Sequence, residues 1–244
     1  MDGLSAVYFR EMLLLKRRLF RVLLGMSVSP VLYVIAFGYA MGPGLQVGGR
    51  SYIEFLIPGL VAMSSMNQAF GVATEINVSR FYLHIFEEFQ AAPLTNFSYV
   101  AGEVLAGMTR AGLSCLIIVG VGVVFGVVLH FGPLFWLAAA LNSFVFASLA
   151  VLSAMVVKSH ADQALLSNFV ITPIAFLGGT FFPLDRLPDW AQHILVVVPL
   201  THACNAIRAE AFGNASDYRD YLVLALVGVV VFLVALRSVN AARD

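Results

Sequence analysis

Val22-Leu-Leu-Gly-Met-Ser-Val-Ser-Pro-Val-Leu-Tyr-Val-Ile-Ala-Phe-Gly-Tyr-Ala-Met41 carries no charged side chain and follows directly on Lys16-Arg17-Arg18-Leu-Phe-Arg21. Crossing the hydrocarbon core of a bilayer, about 30 Å thick, takes roughly 20 apolar residues in a helix. The stretch meets that length, and the same pattern recurs. Charge-free runs extend from Val22 up to Arg50, then over 55–74, 111–130, 131–157, 163–184 and 221–236. The chain of 244 residues has 14 basic and 14 acidic residues, 60% hydrophobic residues and a mean hydropathy of +0.90. With so few charges to cover a surface, most of the chain is solvated by lipid. The predicted spans are 22–41, 55–76, 108–129, 134–157, 163–182 and 218–237, within a single domain covering 1–244.

Orientation follows from the basic residues, which concentrate on the cytoplasmic side of short loops. Six alternating spans place Arg10, Lys16, Arg17, Arg18, Arg21, Arg80, Arg110, Lys158, Arg237 and Arg243 inside, and Arg50, Arg186, Arg208 and Arg219 outside. Ten plus four accounts for all 14, and the asymmetry puts both termini in the cytoplasm. Zero net charge and a pI near 7.0 give no sign of nucleic-acid binding. Cys115 and Cys204 lie on different elements and read as packing residues rather than a disulfide pair.

Three segments depart from the span-and-loop pattern. In residues 1–21, Leu4, Tyr8, Met12, Leu15, Leu19 and Val22 share a helical face opposite Arg10, Arg17 and Arg21, as in a helix lying along the inner membrane surface. The loop after the second span, Ile85-Phe-Glu-Glu88-Phe-Gln90-Ala-Ala-Pro93-Leu94, mixes apolar side chains with paired carboxylates. It is too apolar for a solvated linker, and bare apolar surface in cytosol calls for a partner, another protein or the chain's own N-terminal helix. A new helix is expected to restart at Thr95 or Asn96 as N-cap. Finally, 183–216 holds two apolar pieces separated by Pro199, each too short to span; a helical hairpin dipping into the outer leaflet fits them. Leu200, Ala203, Cys204, Ile207 and Ala211 recur at helical spacing there, leaving His202, Asn205 and Arg208 on other faces.

Catalytic chemistry has little to stand on. Gly44-Leu-Gln-Val-Gly-Gly49-Arg50-Ser51 nearly spells a phosphate-binding loop, but it joins two spans with no preceding strand-to-helix context, so it reads as a turn. The five histidines show no metal-ligand spacing. Polar residues within the apolar runs are the candidates for lining a pathway: Asn67, Gln68, Asn142 and Ser143. Such residues also bridge neighbouring helices, and Gly122-x-x-x-Gly126 fits close helix packing.

Taken together these segments resemble one family, the ABC-2-type permeases, membrane subunits of ATP-binding-cassette exporters. The resemblance rests on Phe55-Leu-Ile-Pro58-Gly59-Leu, on Phe86-Glu87-Glu88-Phe89-Gln90-Ala-Ala-Pro93-Leu94, and on Pro173-Ile-Ala-Phe-Leu-Gly178-Gly179-Thr-Phe181-Phe182-Pro183-Leu184 followed by Leu187-Pro188-x-Trp190. It implies an all-α polytopic fold similar to that of type V exporters, with six transmembrane helices. To these it adds the interfacial helix bearing Arg10, Lys16, Arg17, Arg18 and Arg21, a cytoplasmic coupling helix and an outer re-entrant hairpin. The coupling helix would comprise Ile85, Phe86, Glu87, Glu88, Phe89, Gln90, Pro93 and Leu94, seated in a cleft of the ATPase. Phe181, Phe182, Pro183, Trp190 and Pro199 would shape an outer gate. The implied partners are two ATPase subunits, which bind the ATP and magnesium, a second permease copy or homologue, and the bilayer of the inner membrane. This chain itself would need no cofactor. The competing reading is an ion-gradient-driven transporter or channel, which calls for ionisable residues or broken spans at mid-membrane.

Overall fold

The computed structural model describes residues 3–40, 44–83, 85 and 94–241. Among them, helix α1 (Gly3–Arg17) breaks at Arg18 (φ −116°, ψ 10°) and the chain re-enters helix as α2 (Leu19–Tyr33). The sequence reading carried one interfacial helix through Arg21; the break falls three residues earlier. Pro30 lies inside α2, where it supplies no N–H to the ladder, and α2 continues as a π-helical segment, Val34–Ala40.

Gln46–Val47 (β1) and Arg50–Ser51 (β2) then pair antiparallel across Gly48 and Gly49, whose φ values of +59° and +77° suit a tight hairpin turn. The phosphate-loop look-alike is this hairpin. Ser51 caps α3 (Tyr52–Phe70) in a reciprocal capping box with Glu54. A slight break at Gly71 leads into α4 (Val72–Phe81). Thr95 caps α5 (Asn96–Val124) by accepting from the Ser98 N–H, as expected from its sequence. Next come α6 (Pro133–Val156), α7 (His160–Leu166), a π segment (Ser167–Ile171) and α8 (Thr172–Leu177). The hairpin helices α9 (Asp189–Leu195) and α10 (Pro199–Ala211) precede the final helix, α11 (Tyr218–Ala241).

Among the described residues, five helices are individually long and apolar enough to cross a membrane: Leu19–Gly38, Tyr52–Phe81, Asn96–Val124, Pro133–Val156 and Tyr218–Asn240. Counting the pair α9 and α10, bent by 92°, as one span raises the number to six. The stretch expected as the span 163–182 is helical without a break from His160 to Leu177, through a π turn at Ser167–Ile171. Its first turns hold His160, Asp162, Gln163 and Asn168, and Pro173 interrupts its ladder. The Thr172 backbone N–H and hydroxyl both donate to the Ser167 carbonyl there, closing the wider π turn.

α3 is the central helix. Leu56, Ile57, Leu60, Val61 and Met66 are fully buried, and α3 packs against both α5 and α6. Small residues permit the close approaches. A Cβ on Gly107 would meet the Ala147 methyl at 3.0 Å, and one on Gly228 would meet the Phe144 ring at 2.6 Å. Gly122 packs in this way, 3.1 Å from Ile57, but Gly126 does not: it sits past the end of α5 at φ +77°, a helix terminator rather than a packing glycine. The outer helices turn apolar side chains outward, Phe20, Leu24, Val28 and Leu32 on α2 and Leu222, Leu226, Val230 and Leu233 on α11. An exposed apolar belt of that extent matches lipid rather than water.

Candidate functional site

The polar chemistry of the molecule gathers at two ends of the bundle. At the first, α1 lies across α5. Val7 is fully buried against Gly102, where an added Cβ would meet it at 2.7 Å, and the Tyr8 hydroxyl meets the Thr109 hydroxyl at 3.0 Å. The buried stripe of α1 is Val7, Glu11 and Leu15; Leu15 belongs to the face expected from the sequence, whereas Leu4, Tyr8 and Met12 of that face lie one residue around and are half-buried. That rotation brings a carboxylate into the interface. Glu11 is paired with Arg10, and burial pushes its carboxyl above the ordinary value against the opposing pull of Arg10. Close by, Arg110 reaches Glu75 at 2.5 Å, tying α5 to α4, and Glu103 is 3% exposed on the same side of α5. Lys16, Arg17, Arg18 and Arg21 are exposed, whereas Arg10 is half-buried.

This end also holds the anchor points of the predicted coupling segment. Leu94 touches Gly3 at the start of α1, where an added Cβ would meet its Cδ2 at 2.6 Å, and Ile85 is half-buried. Phe86, Glu87, Glu88, Phe89, Gln90 and Pro93 lie outside the described residues. The Arg80 guanidinium donates to the Ala154 and Met155 carbonyls at 2.9 and 3.0 Å, and the Asn77 amide donates to the Gln163 carbonyl oxygen at 3.1 Å. Both contacts fasten α4 to the α6–α7 corner.

The candidate pathway residues divide. Asn142 is fully buried, its amide nitrogen donating to the Ala62 carbonyl at 3.0 Å and the Ser65 hydroxyl at 2.8 Å, which ties α6 to α3. Ser143, 3% exposed, donates back to the Ala139 carbonyl within its own helix. Asn67 is exposed and Gln68 half-buried on α3. Ser64 and Ser114 meet at 2.6 Å as a further bridge between α3 and α5.

At the opposite end, the hairpin helix α10 closes over the start of α3. Its sequence suggested that Arg208 faces away from the apolar side. The structure turns it inward: the guanidinium sits 3.9 Å above the Phe55 ring and donates to the Gly179 carbonyl at 2.8 Å. The Tyr52 hydroxyl donates to the Phe181 carbonyl at 2.6 Å, so the Gly178–Phe181 turn is gripped from both sides. Gly59 is the cradle for this grip, since an added Cβ would lie 2.5 Å from the Thr180 carbonyl oxygen and 3.0 Å from the Arg208 Nη2. Phe181, 6% exposed, packs among Tyr33, Phe37 and Phe176 with ring centroids 5.0–5.2 Å away. Phe182, Pro183 and Pro199 are half-buried, and Trp190 is 69% exposed. His202 joins α10 to α11 through Asp220 at 2.7 Å, and Arg50 lies 4.4 Å from the Phe212 ring while donating to its carbonyl at 3.2 Å. Sequence reasoning missed Arg208 and Tyr52 because an arginine in an outer loop and a tyrosine at a span end both read as interface residues. The signal available was Arg208 in register with Cys204 and Ala211.

A helical bundle with several spans long and apolar enough to cross a membrane is the architecture of a polytopic membrane protein. The ABC-2 type transporter family matches residues 3–212, and the chain belongs to that family, as a multi-spanning transport permease. It is 28% identical over 237 residues to the inner membrane transport permease YadH of Escherichia coli strain K12, covering 96% of this chain and 91% of that protein. It is also 32% identical over 243 residues to nodulation protein J of Rhizobium leguminosarum bv. viciae, covering 94% of this chain and 91% of that protein. Nodulation protein J of Rhizobium meliloti (strain 1021) is 31% identical over 220 residues.

Proposed function

We propose that the chain is the permease half of an ATP-driven exporter, moving an amphipathic cargo (a drug, a lipid or a saccharide-bearing lipid) out of the cytoplasm or the inner leaflet. Two separate ATPase subunits would bind the ATP and magnesium, and a second permease copy or homologue would complete the pathway. The observation that carries this reading is the family match over residues 3–212, joined by similarity to an inner membrane transport permease of which the chain covers 91%. Supporting it, the segment 85–94 follows α4 and re-enters the described fold at Leu94, against Gly3 at the start of α1 and just before α5. On this reading both termini are cytoplasmic, the membrane is the inner membrane, and the bent pair α9–α10 is a re-entrant outer hairpin gating the exit. Glu75 of α4 is paired with Arg110 of α5, and Arg80 with the Ala154 and Met155 carbonyls, whereas a gradient-driven carrier calls for a relay of ionisable groups at mid-span.

The test is the reconstituted permease–ATPase complex. Phe89→Ala, or a double change of Glu87 and Glu88 to Ala, should preserve expression yet uncouple transport from ATP hydrolysis. A docked aromatic anchor contributes on the order of 2 kcal/mol or more, whereas the carboxylates chiefly set orientation and association rate. Normal coupling in both variants would refute the role assigned to the segment. Failure of any ATPase subunit to co-purify with the wild-type chain would refute the exporter reading itself.

A further inference from the structure

His202 on α10 is engaged through both ring nitrogens. Its Nδ1 lies 2.7 Å from the Asp220 Oδ1, and its Nε2 lies 2.8 Å from the Val196 carbonyl oxygen. Asp220 stands in the first turn of α11 and Val196 ends α9, so one ring joins three helices. Both partners are acceptors when the carboxyl is ionised. A neutral imidazole has one N–H and one lone pair, whereas the imidazolium has two N–H groups, so the two contacts together call for the charged ring. The start of α11 favours Asp220 as an anion, because the first N–H groups of a helix have no intrahelical acceptor. His193 on α9 is the contrast: its Nδ1 meets one acceptor, the Asp189 carbonyl at 2.6 Å, and a neutral ring satisfies that.

The other charged groups around the hairpin have partners of their own or are exposed. On α10, Arg208 donates to the Gly179 carbonyl and Glu210 accepts from Ser216. On α3, Tyr52 donates to the Phe181 carbonyl and Glu54 is in the capping box with Ser51. Asp189 and His193 of α9 are exposed, as are Asp217 and Arg219 ahead of Asp220, and the Tyr221 hydroxyl meets Ser216. α6, which packs on both α10 and α11, carries no titratable side chain, and His130 ahead of it lies beside Gly213. We propose that His202 is a proton-operated tie: as the imidazolium it holds the end of α9 to the start of α11, and on losing a proton it releases α9. The N–H that remains stays with the carboxylate, the stronger acceptor, and the Nε2 lone pair then faces the Val196 oxygen. Arg208 keeps α10 on Gly179 in both states, so the freed piece is α9, whose Trp190, Ile194 and Val197 are exposed. Because only the imidazolium makes both bonds, the folded hairpin binds the proton more tightly than the unfolded chain does. The tie is complete below histidine's ordinary value, about 6.5, and is lost as pH rises above it. That the pH in question is the one outside the membrane rests on the orientation proposed above; the protonation itself does not.

The experiment uses the full chain in neutral detergent, with isotopically labelled histidine and every histidine but His202 replaced by Gln. Nitrogen NMR should show both ring nitrogens protonated at about pH 6, and the second proton should persist beyond about 6.5, where free histidine releases it. Asp220→Asn should move its release to lower pH. A spin-label pair at Ile194→Cys and Leu222→Cys, both exposed, reads the tie in a background with Cys115 and Cys204 replaced. Its distance distribution should be narrow at about pH 6 and broaden by about pH 9, across the range where histidine changes charge. His202→Gln should make the distribution independent of pH. A deprotonated ring nitrogen at about pH 6 would put the proton on Asp220 and overturn the proposal. Release at the same pH as free histidine, or an equally narrow distribution at both pH values, would overturn it too. Impermeant labelling of an Asn214→Cys variant in cells reports the orientation separately: protection from outside would overturn the assignment to the outer pH while leaving both detergent results standing.

Discussion

The two ends of the bundle are fastened by different chemistry. At the α1 end the contacts of α1, α4 and α5 are side chain to side chain, ionic for Arg10 with Glu11 and Arg110 with Glu75 and a neutral hydrogen bond for Tyr8 with Thr109, while Arg80 holds the Ala154 and Met155 carbonyls. At the hairpin end, apart from His202 with Asp220, the partners are backbone carbonyls and rings: Arg208 on Gly179 and Phe55, Tyr52 on Phe181, Arg50 on Phe212. A carbonyl in a turn has nowhere to relax, whereas two flexible ionic side chains part at little cost when one end is solvated. The hairpin end is thus a latch of fixed geometry, and the α1 end is an adjustable clasp.

The largest expected effect breaks the latch from below. Gly59→Leu puts a side chain where the Thr180 carbonyl oxygen already lies 2.5 Å from the Cβ position. Backbone cannot give way there as a flexible side chain would, so the loss should reach about 3 kcal/mol, the upper part of the overpacking range. Thermal unfolding of the purified variant checks it; a wild-type melting temperature would mean that the turn 178–181 moves freely on α3.

Next comes Arg208→Met, which keeps much of the volume and removes the charge-assisted hydrogen bond to Gly179. About 2 kcal/mol is expected, since hydrogen bonds to charged groups contribute roughly 1.5–3 kcal/mol. The specific readout is Cys204, one turn earlier on α10 and fully buried. Its thiol should become reactive to a membrane-permeant reagent, while Cys115, buried between α3 and α5, should not. Equal protection of both thiols would show that the hairpin stays seated without its arginine.

How much of this was legible before the structure follows from the same contacts. Charge-free runs of span length located α2, α3, α5, α6 and α11, because the bilayer imposes a length that composition alone reveals. Thr95 as a cap, and the break at Pro199, were legible as local chemistry. The π turn at Ser167–Ile171 was not legible, because Pro173 acts through the hydrogen-bond ladder, not through hydropathy. The inward turn of Arg208 and the one-residue rotation of the α1 interface are tertiary. Only the presence of Phe55, Gly179 and Gly102 opposite them decides which face is buried, and no periodicity records that.

A smaller effect tests the clasp. Glu75 is 46% exposed and Arg110 16%, so their pairing should contribute about 0.5 kcal/mol in a double-mutant cycle of Glu75→Gln and Arg110→Gln. Raising the salt from low to about 1 M should shrink the coupling, because the Debye length falls from tens of ångströms to about 3 Å. A coupling above 2 kcal/mol that ignores salt would make this end a latch too, and the contrast would fail.

The smallest expected effect is the pH response of α1. Burial holds the Glu11 carboxyl above its ordinary value of 4.5, so the folded state takes up this proton more readily than the unfolded chain. A carboxyl raised in the folded state contributes stability that is complete below 4.5 and is lost as pH rises through the raised value. Arg10 and Arg110 pull the other way, while Glu75 adds to the shift, which keeps the net dependence shallow. A fluorophore on an exposed position of α1, such as Leu13→Cys in a background with Cys115 and Cys204 replaced, should show α1 docked most firmly in mild acid and loosening from pH 4.5 upward. Glu11→Gln, neutral at every pH, should flatten that slope and hold α1 down at neutral pH. If the variant kept the wild-type slope, the titrating group would lie elsewhere in the cluster, and Glu11 would be a passive passenger of the α1–α5 contact.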